Sequence, residues 1–428
     1  MNPWIHDFAA YNLWSRPAGL LAALHMLRTA GAAIALMDCL ERTWSDVPWP
    51  RPQATGRGRY PKTMLPTPAA LRGVPRRYGR YGLDPEAVRG ALERLSPSPD
   101  LILITTIMTY WYPGAVEAIA LVRSLWPGVP VALGGIYASL CPEHARGLGA
   151  DLVLNGRLED PSNWADLWGL MGLTAPPLPS GAGFELALDL YADPEFSVIM
   201  GSRGCPFHCP YCASQRLHPA FLQADPGNLL PAIQREYARG VRDFAFYDDA
   251  LLVRPETWLW PLLDWFEGKG ARLHTPNAMH ARFLTPGTCL RLRRAGLTTV
   301  RLGLETGDFE QRLDGKLSRK QWQDAVAALR GAGFGLDEVG AYILFGLPGQ
   351  DPAEVERAIV LARAQGIRPE LAHYTPIPGS PLFTKACAAS PWPLAVEPLC
   401  QNNSIWPCVP GGYSWKHMRY WHELLGLF

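Results

Sequence analysis

Two series of apolar runs alternate with amphipathic stretches along the chain, and a Pro-, Gly- and Leu-rich interval at 161–195 separates them. In the first series, 17–30 has helical spacing, with Pro17 suited to a first turn and Gly31 to the position after the end. A short strand at 32–37, closed by Asp38, follows. Apolar runs at 101–105, 130–133 and 151–154 read as strands, with helices at 115–125 and from Pro142 between them. Strands alternating with helices predict a parallel, doubly wound sheet, whose ligands sit beyond the carboxyl ends of the strands. Here those ends are 106–114, 134–137 and 155–159. The second series has strands near 196–201, 243–247, 271–275, 298–304, 339–345 and 370–374. Its helices lie near 227–239, 255–267, 286–295, 319–332 and 352–364. Six strand–helix repeats are too few for a closed eight-fold barrel. The expected α/β architecture is a Rossmann-like domain at 1–160, a linker at 161–195, an incomplete barrel at 196–384 and an extension at 385–428 that covers the barrel.

One long interval breaks the alternation. Residues 44–81 are rich in Pro and Gly and carry Arg51, Arg57, Arg59, Arg76, Arg77 and Arg80, which reads as a solvated excursion.

Composition narrows the class. With 48% hydrophobic and 18% charged residues over 428 positions, the chain is globular and long enough for two cores. A net charge of +1 gives no global attraction to nucleic acid or to an anionic membrane. The longest apolar candidate for a span, 20–37, is interrupted by His25, Arg28 and Thr29, and the start lacks the basic-then-apolar pattern of a secretory signal. Nine cysteines in a chain of this size do not make a disulfide scaffold, so a reducing cytoplasm is the expected compartment.

Three of those cysteines carry the chemistry. The stretch GSRGCPFHCPYC, 201–212, places Cys205, Cys209 and Cys212 in a C-x3-C-x2-C array directly after an apolar run. A structural zinc would need a fourth donor, for which His208 and His218 are the candidates. A disulfide would leave one thiol over. An iron–sulfur cube normally takes four cysteines, so three would leave one iron open to a substrate or cofactor. Cys387, Cys400 and Cys408, further on, match no compact spacing and read as packing.

This array, with aromatic Tyr211 before its third cysteine, resembles the radical S-adenosylmethionine superfamily. The resemblance implies a [4Fe-4S] cluster on Cys205, Cys209 and Cys212, with S-adenosyl-L-methionine on the open iron. It further implies a partial barrel, one-electron cleavage to a 5′-deoxyadenosyl radical, and an electron donor such as flavodoxin or ferredoxin. By the same resemblance Asp248 and Asp249 hold the methionyl amine. Asn277 and Glu305 face the ribose or methionyl end, and Gly346 lets backbone approach the adenine. Residues 1–160 resemble the cobalamin-binding domain fused to many of these enzymes, above all in TTIMTYWYPG (105–114) and LGGIYASLCPEHA (133–145). That likeness places Tyr110, Trp111, Gly134 and Gly135 at a cobalamin. Two departures stand out: no histidine follows Asp38 to ligate cobalt, and no apolar strand precedes Pro17. Either the start is late or the sheet lacks a central member. The expected function is a cobalamin-dependent methyltransferase acting on an unactivated carbon of a small molecule or peptide. A cobalamin-independent radical enzyme, an electron carrier and a zinc-stapled binding protein stay open.

Overall fold

The computed structural model describes residues 1–44, 49–181, 183–335 and 338–426. Residues 45–48 of the arginine-rich interval, 182 of the expected linker and 336–337 before the fifth barrel strand lie outside the described residues. The chain forms two compact units, Met1–Pro194 with Pro393–Asn402, and Glu195–Trp392 with Asn403–Phe428. The segment 393–402 thus leaves the second unit and returns to it. No described helix is long and apolar enough to cross a membrane.

The first unit is built on a parallel sheet of β1 (Ile102–Thr106), β2 (Val131–Gly135) and β3 (Leu152–Val153), in that order. Helices α1 (Ala18–Thr29) and α2 (Tyr112–Leu125) supply apolar stripes, and Trp4, Ile104, Val122, Leu133 and Tyr137 share one core. The expected strand at 32–37 does not form; only Asp38 bridges, to Asn2. Its neighbour is too short to build a ladder. Asn2 N–H donates to Met37 O at 2.8 Å and Cys39 N–H to Asn2 O at 2.9 Å, while Thr105 N–H donates to Met1 O at 3.2 Å. Met1 and Asn2 therefore lie between 37–39 and β1, where the sequence shows no strand before Pro17.

The arginine-rich interval is also more than a solvated loop. Lys62–Met64 and Gly79–Tyr81 pair antiparallel, and the latter also pairs with Ile5–Asp7. Tyr60, Leu71, Tyr78 and Tyr81 are buried anchors spaced between exposed arginines, and Arg80 reaches Glu117 at 2.6 Å. Aromatic anchors at wide spacing do not register as periodicity, which is why the interval reads as loop.

The second unit is a six-stranded, all-parallel sheet. Its strands are β4 (Ser197–Ile199), β5 (Asp243–Phe246), β6 (Arg272–His274), β7 (Leu297–Glu305), β8 (Val339–Phe345) and β9 (Arg368–His373), neighbours in sequence order. Four of the helices between them start at side-chain caps. Asp225, Thr285, Ser318 and Asp351 accept from first-turn amides; Ser318 forms a reciprocal box with Gln321, and Pro fills the first turn at the other three. Along β8, Val339, Ala341, Ile343 and Phe345 are buried, whereas Tyr342 and Leu344 on the opposite face are only half-buried.

Candidate metal centre

The cysteine loop leaves the carboxyl end of β4, and the chain is clamped before it starts. Ser202 and Arg203 pair antiparallel with Gln223 and Leu222, so the residues between form a closed excursion. Two glycines make this possible. At Gly201 a Cβ would lie 2.0 Å from the Trp258 ring; at Gly204, whose φ is +76°, it would lie 2.5 Å from Ala220 O. Gln215 donates to Cys205 O and, at 3.3 Å, to Phe207 O; Cys212 N–H donates to Cys209 O at 3.1 Å. Leu382 N–H fastens the loop from outside, donating to Pro210 O at 3.0 Å.

All three cysteines are free thiols. Burial raises the Cys205 pKa to about 11, and Asp249, Cys209 and Cys212 are near enough to push it the same way. Burial likewise raises Cys209, with the Lys316 ammonium offsetting part of the rise. At Cys212, Ser214 N–H donates to Sγ at 3.4 Å, and the Ser214 hydroxyl donates to Asp249 Oδ2 at 3.0 Å. His280 Nε2 stands 3.9 Å from Cys205 Sγ, and its ring is 4.5 Å from that of Phe207. Among the described residues, no three His, Cys, Asp or Glu side chains meet where a single ion would bind. Donors to one zinc all lie about 2.0–2.3 Å from a common point, whereas three sulfurs on three irons of a cube stand farther apart.

The structure brings most of the expected polar residues to this loop. Asp248 is 3% exposed, and its Oδ1 accepts from the Ser202 hydroxyl at 2.6 Å. Its Oδ2 has no partner among the described residues, and burial pushes its pKa up to about 7. Asp249 is pushed up by burial as well, with the Ser214 bond opposing. Asn277 is exposed and donates to Tyr247 O at 2.9 Å. Glu305 follows a register shift in β7 and has φ +63°, a left-handed conformation that costs a non-glycine residue about 1–2 kcal/mol. Gly346, φ +87°, stands apart from this group. Its N–H donates to Gln350 Oε1 at 2.8 Å, so it serves the turn.

Sequence reasoning missed the partners of Glu305 and Tyr211. Lys316 Nζ lies 3.0 Å from Glu305 Oε1 and 3.6 Å from Asp314 Oδ2. Tyr211 OH donates to Asp314 Oδ2 at 2.7 Å, and Arg312 grips the same carboxylate at 2.6 and 3.1 Å. Burial opposes the charge on Asp314, yet Arg312 and Lys316 hold its pKa down at about 2. For Lys316, burial is outweighed by Glu305, Cys209 and Asp314, which raise its pKa. The only signal was a polar trio, Asp314-Gly315-Lys316, in a loop with no periodicity. Ser202, Ser214 and His280 gave none.

In the first unit two of the expected cofactor residues, Tyr110 and Trp111, make contacts within the unit. Tyr110 is 2% exposed, and Trp111 Nε1–H donates to Asp7 Oδ2 at 2.8 Å. Asp7 Oδ1 also accepts from Asn402 Nδ2 at 2.8 Å, so the segment 393–402 packs at this strand end. Gly134 is open on one side, with a Cβ reaching only Leu154 at 3.6 Å; at Gly135, φ +93°, it would lie 2.5 Å from Thr105 Oγ1. The buried Thr109 hydroxyl, just past β1, has no partner among the described residues.

Comparison with known proteins adds three findings. The family model of the Radical SAM superfamily matches residues 199–362. A relative in Pyrococcus horikoshii, named "Uncharacterized methyltransferase PH0819", is 25% identical over 338 residues, 68% of this chain and 70% of its own length. The radical S-adenosylmethionine methyltransferase TsrM of Kitasatospora setae, solved with tryptophan substrate and a SAM analogue, superposes with a TM-score of 0.56 at 16% identity, over 70% of this chain and 68% of that one. The same enzyme solved with cobalamin and a [4Fe-4S] cluster gives 0.52 at 17% identity, over 71% and 70%. The likeness to TsrM is one of fold.

Proposed function

We propose, for a chain whose residues 199–362 match the family model of the Radical SAM superfamily, a cobalamin-dependent methyl transfer to an unactivated carbon. The observation that carries this reading is three free thiols in a clamped loop beside Asp248, a buried carboxylate with one oxygen served and one unserved. The donor set fits its groups. Three thiols suit a cube with one open iron, and an unserved carboxylate oxygen suits an ammonium. The open face of Gly134 and the unpartnered Thr109 hydroxyl are what the first unit offers a corrin amide. When bound, the cluster and S-adenosyl-L-methionine supply one-electron cleavage at the sulfonium, and cobalamin supplies the methyl group.

The chain's own part is positioning. Cys205, Cys209 and Cys212 hold the cluster, Ser214 orients Cys212 and Asp249 together, and Ser202 fixes Asp248 toward the methionyl amine. Glu305 and Asn277 lie on the strand ends that face the rest of the cofactor. Cys205 is buried and Cys209 and Cys212 are half-buried, which limits the access of water to the reactive centre. The methyltransferase name of the Pyrococcus relative and the fold likeness to TsrM support methyl transfer in particular.

A second reading has one observation in its favour. Tyr110, Trp111 and Asp38 are all committed to contacts within the first unit, Asp38 accepting from Asn2 at 2.7 Å and from Tyr191 at 2.7 Å. That arrangement suits a radical enzyme without cobalamin. Titration of the anaerobically reconstituted chain with hydroxocobalamin separates the two. A change in the visible corrin spectrum is expected; no change and no co-purifying corrinoid would remove methyl transfer. Release of 5′-deoxyadenosine after reduction excludes a plain electron carrier.

A further inference from the structure

Lys316 belongs to no strand end and to no helix, and yet its side chain is only 10% exposed. It sits among charges that lead back to the cysteine loop by two routes. One runs through Asp314, 3.6 Å away, to the hydroxyl of Tyr211, which stands between Cys209 and Cys212 in the chain. The other is direct: the ammonium lies 5.9 Å above the Tyr211 ring. Glu305 completes the group at 3.0 Å and holds its left-handed backbone there. A left-handed glutamate is retained only where the surroundings fix it, and strain of this kind gathers at functional sites. Arg312 already satisfies Asp314 through two bonds, so Lys316 is not needed to neutralise that carboxylate.

We propose that Lys316 sets the reduction potential of the cluster held by Cys209, as a positioned charge and not as a ligand. The inference rests on the cluster assignment made above. A cube on three thiolates is anionic when oxidised and gains a further negative charge on reduction. Cluster potentials respond to net charge, hydrogen bonding and exposure. A cation screened little by solvent favours the reduced form, and it acts most strongly where the surroundings are buried. Tyr211 and Asp314 hold that cation at a fixed distance from the loop.

The test is an EPR-monitored redox titration of the full chain after anaerobic reconstitution, with iron and sulfide counted in each variant. Lys316→Gln should load the same iron as the unaltered chain and titrate lower. The expected change is about a tenfold drop in the reduced-to-oxidised ratio at fixed potential, which is about 59 mV for one electron. Lys316→Arg keeps the cation and should restore the original midpoint. Equal iron with an unmoved midpoint in Lys316→Gln would overturn the proposal. Should Lys316→Gln fail to load, Asp314→Asn decides: it removes an anion from the same group, so the midpoint should rise, and a midpoint that stays or falls overturns the idea. An unaltered chain that binds no iron sinks the cluster assignment first and this inference with it.

Discussion

The carboxyl edges of the two parallel sheets treat buried polar groups to different degrees. In the first unit the aromatic residues past β1 and β2 are served from within: Trp111 donates to Asp7, Tyr112 to Glu397 at 3.1 Å, and Tyr137 meets His144 at 2.5 Å. In the second unit the corresponding edge leaves Asp248 Oδ2 and His280 Nδ1 buried without partners among the described residues, and holds Glu305 in a left-handed conformation. Burying a polar group without a partner costs about 1–3 kcal/mol, and a charged group costs more. The first unit's edge also leaves the Thr109 hydroxyl without a partner among the described residues, so both edges have a ligand to gain, and the edge with a buried carboxylate has the more to gain.

The largest effect that could break this contrast lies in the loop itself. Cys209→Ala should lose the cluster outright, read as iron and sulfide per chain after reconstitution; a variant with full iron would contradict the ligand assignment.

Asp248 gives the next largest effect, and its sign can be worked out. Its folded pKa, about 7, is above the ordinary 3.8, so the protonated form favours the fold. Its contribution is complete below pH ~4 and is lost as pH rises through 7. At about 1.4 kcal/mol per unit, the loss is on the order of 4 kcal/mol. Asp248→Asn should remove that share of the pH dependence in denaturant unfolding of the apo chain, and parallel profiles for the two proteins would refute it. The same variant should bind S-adenosyl-L-methionine about tenfold or more weakly, the loss of one charged hydrogen bond.

How much of this was legible follows from the same physics. Six parallel strands were readable because apolar runs alternate with stretches of helical spacing, whereas the caps at Asp225, Ser318 and Asp351 come from the structure. The cysteines and Asp248 follow strand ends, as the alternation of apolar runs predicts. Lys316, Asp314 and Ser202 were not readable, since their roles depend on which loops fold together and no spacing records that. The strand expected at 32–37 failed because pairing depends on the neighbour, and the neighbour is two residues long. The residues 44–81 misled for a similar reason: Tyr60, Tyr78 and Tyr81 are buried by contacts that charge and glycine content do not report.

The smallest effect sharpens the first unit. Trp111→Phe removes the indole donor to Asp7, which also accepts from Phe8 N–H at 2.6 Å and from Asn402. A packing role predicts a loss of about 1–2 kcal/mol in unfolding free energy with corrin affinity unaltered. Unchanged stability with lost corrin binding would make Trp111 a cofactor platform and erase the contrast between the two edges.

The central claim is a cube with one vacant corner that S-adenosyl-L-methionine fills. It is tested most directly by the EPR spectrum of the reduced, reconstituted chain before and after that cofactor is added. A spectrum that shifts on addition is the predicted result. One that is identical with and without the cofactor, at full cluster loading, would contradict it.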